Sequence, residues 1–365
     1  MTTASADRDP VMILLEAAAS GGAGWPQLYP GSRPFGYFCS YWPEELILSL
    51  GREPLRLLPP AAAGVPARLP AYCCLPARAC LAAGEAKEYD FLAGAGFAHT
   101  CDTIQCLAGI WPHRHTFMFV PPVTMDSPEA GTYFKAELER LWRRLAETAG
   151  VQSDAHQLQR AVVLMNRIRS LAGQLDELRP QLPSPLVAAL MRAGQLMPRA
   201  AYAASLEAAL PALAVKADGV GERRRLLISG SILENDGLYV MLEELGARVV
   251  ADDTCTGYRH FAGLVNERAE PLAGIAARYA ARPPCPCRHQ YLEARLDYLL
   301  ALARRRSAEG VVLVVRKYCD PHAWDAAAAG DRLREAGVPV LVLEMETSTP
   351  GGQERTRLQA FLECL

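Results

Sequence analysis

Cys73 and Cys74, Cys101, Cys255 and Cys319 each follow an apolar run that reads as a β-strand, and Asp102 and Asp320 come directly after two of them. Loops that follow the strands of a parallel sheet lie along one edge, where α/β proteins place their ligands. Thiols far apart in the chain would therefore converge there. Such a group could hold iron or zinc, and an iron–sulfur cluster is normally held by several thiolates. The spacing matches neither a zinc ribbon nor a ferredoxin run, as expected for a site assembled from separate loops. The plain alternative for any one of these residues is packing, because a free cysteine behaves as a small hydrophobe. The aspartates behind two of the thiols favour a built site.

Other candidates are weaker. Cys285 and Cys287, in "RPPCPCRH", suit either a metal clamp or a rigid connector. Cys39, in "FCSYWPEE", precedes a helix whose N-terminus would lower a thiol pKa. Cys80, Cys106 and Cys364 read as structural. His322 and His113 could carry protons near the site, although a satisfied loop histidine is the plainer reading of each. Ser229 to Ser231, "SGS", follows a strand and is expected to open a helix, so its amides could hold a phosphate. The chain contains no GxGxxG, Walker or G-x-S-x-G pattern.

The elements that must position these residues follow from periodicity. Short strands alternate with helices from about Pro34 to Val123 and again after Gly221, which implies βαβ crossovers and parallel sheets. "EPLRLLPP", "ARLPAYC" and "DFLAGAGFAHTCD" read as strands in the first part. Between the two parts the pattern is helical: Phe134, Leu138, Leu141 and Leu145 share one face, and Ser153 or Asp154 is a plausible N-cap. The expected fold is therefore α/β, with two Rossmann-like parallel-sheet domains joined by a helical segment. Its expected boundaries are 1–128, 129–218 and 219–365.

Bulk composition narrows the partners. A net charge of -2 argues against a nucleic-acid ligand. The first residues lack the pattern of a secretion signal, and no apolar stretch approaches a membrane span. The expected compartment is the cytoplasm, where the eleven cysteines would stay reduced.

Taken in order, "GYFCSYWPEELILSLGREPLRLL", "CLPARACLAAG", "HTCDTIQ", "GSILENDGLYVMLEELGARVVADDTCTGYRHF", "RPPCPC" and "RKYCDPHAWD" resemble the 2-hydroxyacyl-CoA dehydratase and benzoyl-CoA reductase subunit family. The resemblance runs from about Gly36 to the C-terminus. It implies Rossmann-like domains and three cysteines holding a [4Fe-4S] cluster with one iron open to a small ligand or substrate. The matching residues are Cys74, which lies four before Arg78, Cys101 and Cys319. It also implies a dimer with a homologous subunit or a second copy, and a separate ATP-hydrolysing iron–sulfur activator. That activator would deliver one electron for ketyl-radical dehydration of an acyl-CoA, or for reduction of an aromatic ring. Glu45 and His113 fall in family-like motifs and take polar, substrate-side catalytic roles on this reading. The surplus of thiols at Cys39, Cys73, Cys106 and Cys255 keeps open a branch of the family that carries a double-cubane [8Fe-9S] cluster and reduces small molecules. A non-catalytic partner subunit is a further alternative.

Overall fold

Gly310–Arg316 is buried at every position, as a strand covered on both faces must be. It is β7 of the eight strands among the described residues: β1 (Phe35–Tyr37), β2 (Pro54–Arg56), β3 (Gly94–Ala98), β4 (Thr116–Phe119), β5 (Arg224–Gly230), β6 (Ala247–Asp253), β7 and β8 (Val340–Met345). The protein is described by a computed structural model covering residues 8–59, 68–125, 127–215, 223–288 and 292–365. The strands form two four-stranded sheets, ordered β2-β1-β3-β4 and β6-β5-β7-β8, and every pairing is parallel. The two orders are the same. Each sheet changes winding direction between its second and third strands, so each has one switch point where a crevice opens beyond the strand ends. The expected α/β architecture with two parallel sheets is what the chain adopts.

Helices between the sheets have clear local causes. Ala130–Ala149 buries Phe134, Leu138, Leu141 and Leu145 and ends at Gly150, whose φ of 68° suits a residue without a Cβ. Ala155–Leu178 starts at Asp154, whose carboxylate accepts from His156 N–H. These helices interleave the parts of the chain more than a linear division suggests. Pro10–Ala19 packs chiefly on Ser184–Leu196 and Arg199–Val215, and Pro271–Ala280 packs on Ala130–Ala149. Tyr279 thus shares a core with Phe35, Tyr37 and Trp42 near the first sheet.

Two expectations fail locally. Over residues 68–73, "ARLPAYC" is a run of bends and turns; Ala67 lies outside the described residues. Pro70 fixes φ, and Cys73 N–H donates to Pro70 O at 3.0 Å, closing a turn instead of a ladder. Ser229 to Ser231 does not open a helix either, because the helix after β5 begins only at Gly237. Ser229 Oγ is committed to Asp253 at 2.7 Å.

Candidate metal centre

Cys39 follows β1 and Cys101 follows β3, the two strands at the switch point of the first sheet. Ser231 and Cys319 follow β5 and β7 at the switch point of the second, and Cys255 follows β6. The two crevices meet. One cavity is lined by Cys39, Cys74, Cys80, Cys101, Cys255, Cys287 and Cys319, with Arg56 and His322 on its wall. Phe38, Leu57, Pro59 and Ile104 close it with apolar surface.

Three of these thiols share a setting that strand-based reasoning does not reveal. Cys74, Cys101 and Cys319 are the N-cap residues of helices Leu75–Glu85, Asp102–Ile110 and Asp320–Glu335. Unpaired N–H groups and the helix dipole favour negative charge at that position. Burial is the larger influence on the thiols. It pushes the Cys101 thiol up to about 12 and raises Cys74 and Cys319, while first-turn amides at Ala77, Ile104 and His322 pull the other way. The thiols would thus be protonated until a metal displaces the protons.

Cys39, Cys255 and Cys287 bring the set to six, and Cys80 is the seventh. Cys80 is buried in an apolar cluster with its sulfur 4.0 Å from Leu57 O, so it remains a packing residue on the cavity edge. Cys39 does not cap a helix. The helix after it starts at Glu44 with Pro43 as its cap, and burial raises the Cys39 thiol instead of lowering it. Cys287 faces the cavity while Cys285 lies behind it on a neighbouring one. A hydrogen bond from Cys287, helped by Arg259, brings the Cys285 thiol down to about 5. Cys73 is buried but is not among the cavity residues, and Cys106 and Cys364 are exposed.

The donors are thiols, the ligand type that holds iron–sulfur groups. Among the described residues, no three or more of His, Cys, Asp and Glu are gathered to hold one metal ion. The thiols line the walls of a cavity instead of meeting at a point.

The structure places the other predicted residues as follows. His322 lies on the cavity wall with Nδ1 3.4 Å from Cys319 Sγ. His113 sits ahead of β4, at the opposite end of the sheet, with Nε2 3.2 Å from Leu92 O. Glu45 is fully buried in an ion pair with Arg169, which also binds Asn166. Neither Glu45 nor His113 lines the thiol cavity. Glu45 belongs to the joint between the helix Glu44–Ser49 and the helix Ala155–Leu178.

Behind the cavity lies a buried polar relay. Arg199 and His260 meet Glu44 at 2.6 and 2.8 Å, and Tyr37 donates to it at 2.6 Å. Arg56 Nη1 stands 3.5 Å from His260 Nδ1, so Nδ1 is the acceptor and the Nε2 proton points to Glu44. Burial, with the nearby Arg56 and Arg282 charges, holds His260 down at about 3 although Glu44 opposes it. The unfolded histidine titrates near 6.5, so between those values only the unfolded chain takes up this proton. Stability from this group is complete above pH 6.5 and lost as pH falls toward 3. Urea unfolding should show a loss of about 2 kcal/mol from His260 between pH 6.5 and 5, at about 1.4 kcal/mol per unit. His260→Gln should remove that part of the slope.

The comparisons identify the scaffold. Residues 39–365 match the model of the family described as 2-hydroxyglutaryl-CoA dehydratase, D-component. The chain is 24% identical over 346 residues to the (R)-phenyllactyl-CoA dehydratase beta subunit of Clostridium sporogenes, covering 92% of each chain. It is 27% identical to a benzoyl-CoA reductase subunit of Thauera aromatica, over 87% of this chain and 86% of that one. With the lactoyl-CoA dehydratase beta subunit of Anaerotignum propionicum it shares 22% identity, over 92% of each. With two parallel sheets facing across a cysteine-lined crevice and a match that spans nearly its whole length, the chain belongs to the 2-hydroxyglutaryl-CoA dehydratase D-component family.

Proposed function

We propose that this chain is the redox subunit of a dehydratase- or reductase-type enzyme and that its thiol cavity holds a double-cubane [8Fe-9S] cluster. One observation carries the reading: six thiols, of Cys39, Cys74, Cys101, Cys255, Cys287 and Cys319, line a single cavity. That is twice the three expected for one cubane of this family. Bound there, the cluster would supply one-electron chemistry at low potential. The chain's own residues fix three thiols at helix starts, exclude water with Phe38, Leu57 and Ile104, and bring the Arg56 and Arg259 charges to the wall.

A second cavity of about 330 Å³ shares Thr100 and Cys287 with the first and runs out to Trp324. A small molecule held there would lie against the thiol wall. The electron would come from a separate ATP-hydrolysing iron–sulfur activator. The names of the relatives, each one part of a larger enzyme, support pairing with a homologous partner or with a second copy.

A second reading keeps a single [4Fe-4S] cluster on Cys74, Cys101 and Cys319 and an acyl-CoA as substrate. It is favoured by the helix-capping positions of those three thiols and by relatives named for acyl-CoA substrates. Iron and acid-labile sulfide per chain, measured after anaerobic purification and reconstitution, separate the two. About eight iron atoms support the double cubane and about four the single one. Reproducible absence of iron would leave a structural partner subunit and remove both readings.

A further inference from the structure

Burying a charge without an opposite charge is costly, and one guanidinium on the cavity wall meets no carboxylate among the described residues. Arg56 closes β2 and is 1% exposed. It donates to Phe38 O at 3.1 Å, Gln195 Oε1 at 2.9 Å and Cys255 O at 2.7 Å. Its remaining contact is His260 Nδ1. All of these partners are dipoles, and none is Asp or Glu. The other arginines with fully buried side chains, Arg179, Arg199 and Arg316, each meet a carboxylate.

Two further guanidinium groups stand beside cysteines of this cavity. Arg259 Nη2 lies 3.1 Å from Cys255 Sγ, with Asp253 on its other side. Arg282 donates to Ser40 O, next to Cys39, and stacks over Tyr41, again without a carboxylate among the described residues. An iron–sulfur group bound through the cavity thiols would place negative charge opposite these guanidinium groups.

We infer that Arg56, backed by Arg259, is the counter-charge to an anionic cluster on the thiols and a positioning residue that raises its reduction potential. The inference rests on the iron–sulfur reading above. Reduction adds one electron, from an external one-electron donor, to a group already negative, with no proton required. A fixed cation in a low-dielectric wall stabilises the reduced form more than the oxidised one.

The experiment is an EPR-monitored redox titration of reconstituted wild type, Arg56→Gln and Arg56→Lys, with melting of the iron-loaded and iron-free forms. In Arg56→Gln the reduced-to-oxidised ratio at fixed solution potential should fall about tenfold, a downward shift of about 59 mV for one electron. Arg56→Lys should stay near wild type. The stabilisation gained on loading iron should also shrink in Arg56→Gln, whereas a merely structural role would lower both melting points equally and leave the midpoint alone. An unchanged midpoint in an iron-loaded Arg56→Gln protein overturns the inference. If Arg56→Gln fails to load, Arg56→Lys decides: loading with a wild-type midpoint supports the charge, and failure overturns it. Wild type that takes up no iron would instead sink the iron–sulfur reading itself.

Discussion

Cys101→Ala should lower the iron of the reconstituted protein, to about four atoms per chain if the cavity holds two cubanes and to almost none, with no visible chromophore, if it holds one. Cys101 stands at the switch point of the first sheet and caps the helix Asp102–Ile110, with Cys74 and Cys39 as its thiol neighbours. Removing it breaks the three-thiol set formed with Cys74 and Cys319, which are also electrostatic neighbours of each other. Cys74→Ala and Cys319→Ala should behave alike. Cys255→Ala is the more discriminating change, because Cys255 lines the cavity but lies outside that set. On the double-cubane reading it should cut iron from about eight to about four per chain. On the single-cubane reading it should change nothing. Cys106→Ala, at an exposed site, is the control and should keep full iron content. Iron analysis with the visible spectrum checks every case, and a Cys101→Ala protein that binds iron like wild type would end the ligand assignment.

Much of this is legible in the sequence because period and position carry it. The buried runs of β5, β6 and β7 announce themselves as β-branched and Leu-rich segments between helices, and Cys255 and Cys319 sit just past the ends of β6 and β7. The parallel-sheet rule alone places Cys101 at the strand-end edge of the first sheet and Cys255 and Cys319 at that of the second. Cys74 converges there for a different reason: a proline turn leads into a helix that it caps. Nothing in a strand pattern signals that. Cys287 is ambiguous in sequence because its neighbours, Pro286 and Arg288, fit a connector as well as a wall. Glu45 shows the opposite limit. A glutamate at a helix start reads as available, but its partner Arg169 is far away in the chain and reaches it only through helix packing. The buried arginines are invisible for the same reason, since composition does not tell a guanidinium on a cavity wall from one on the surface.

Asp253→Ala should destabilise the iron-free protein by about 3–5 kcal/mol, the range for breaking a buried ion pair from one side. Asp253 ends β6 and is 1% exposed. Its Oδ2 accepts from Ser229 Oγ at 2.7 Å, Arg295 Nη1 at 2.7 Å and Arg259 Nη1 at 3.2 Å. Arg295 would keep Asp325 at 3.3 Å, but Arg259 would lose its carboxylate. Burial works to raise the Asp253 carboxyl, and Arg259 and Arg295 outweigh it and hold it below the ordinary range. A depressed folded-state pKa means that this contribution is present at neutral pH and is lost as pH falls through the folded value. The deficit in urea unfolding should therefore be largest near pH 7 and shrink in acid. Asp253→Asn separates charge from shape: it should cost nearly as much as alanine if ionic compensation dominates. A loss below about 1 kcal/mol at neutral pH would contradict the argument. Iron loading adds a further expectation, because Arg259 also touches Cys255 Sγ. A negatively charged cluster would give Arg259 a second counter-charge, so the deficit should be smaller in the loaded protein. Equal deficits in both forms would mean that Arg259 serves Asp253 alone.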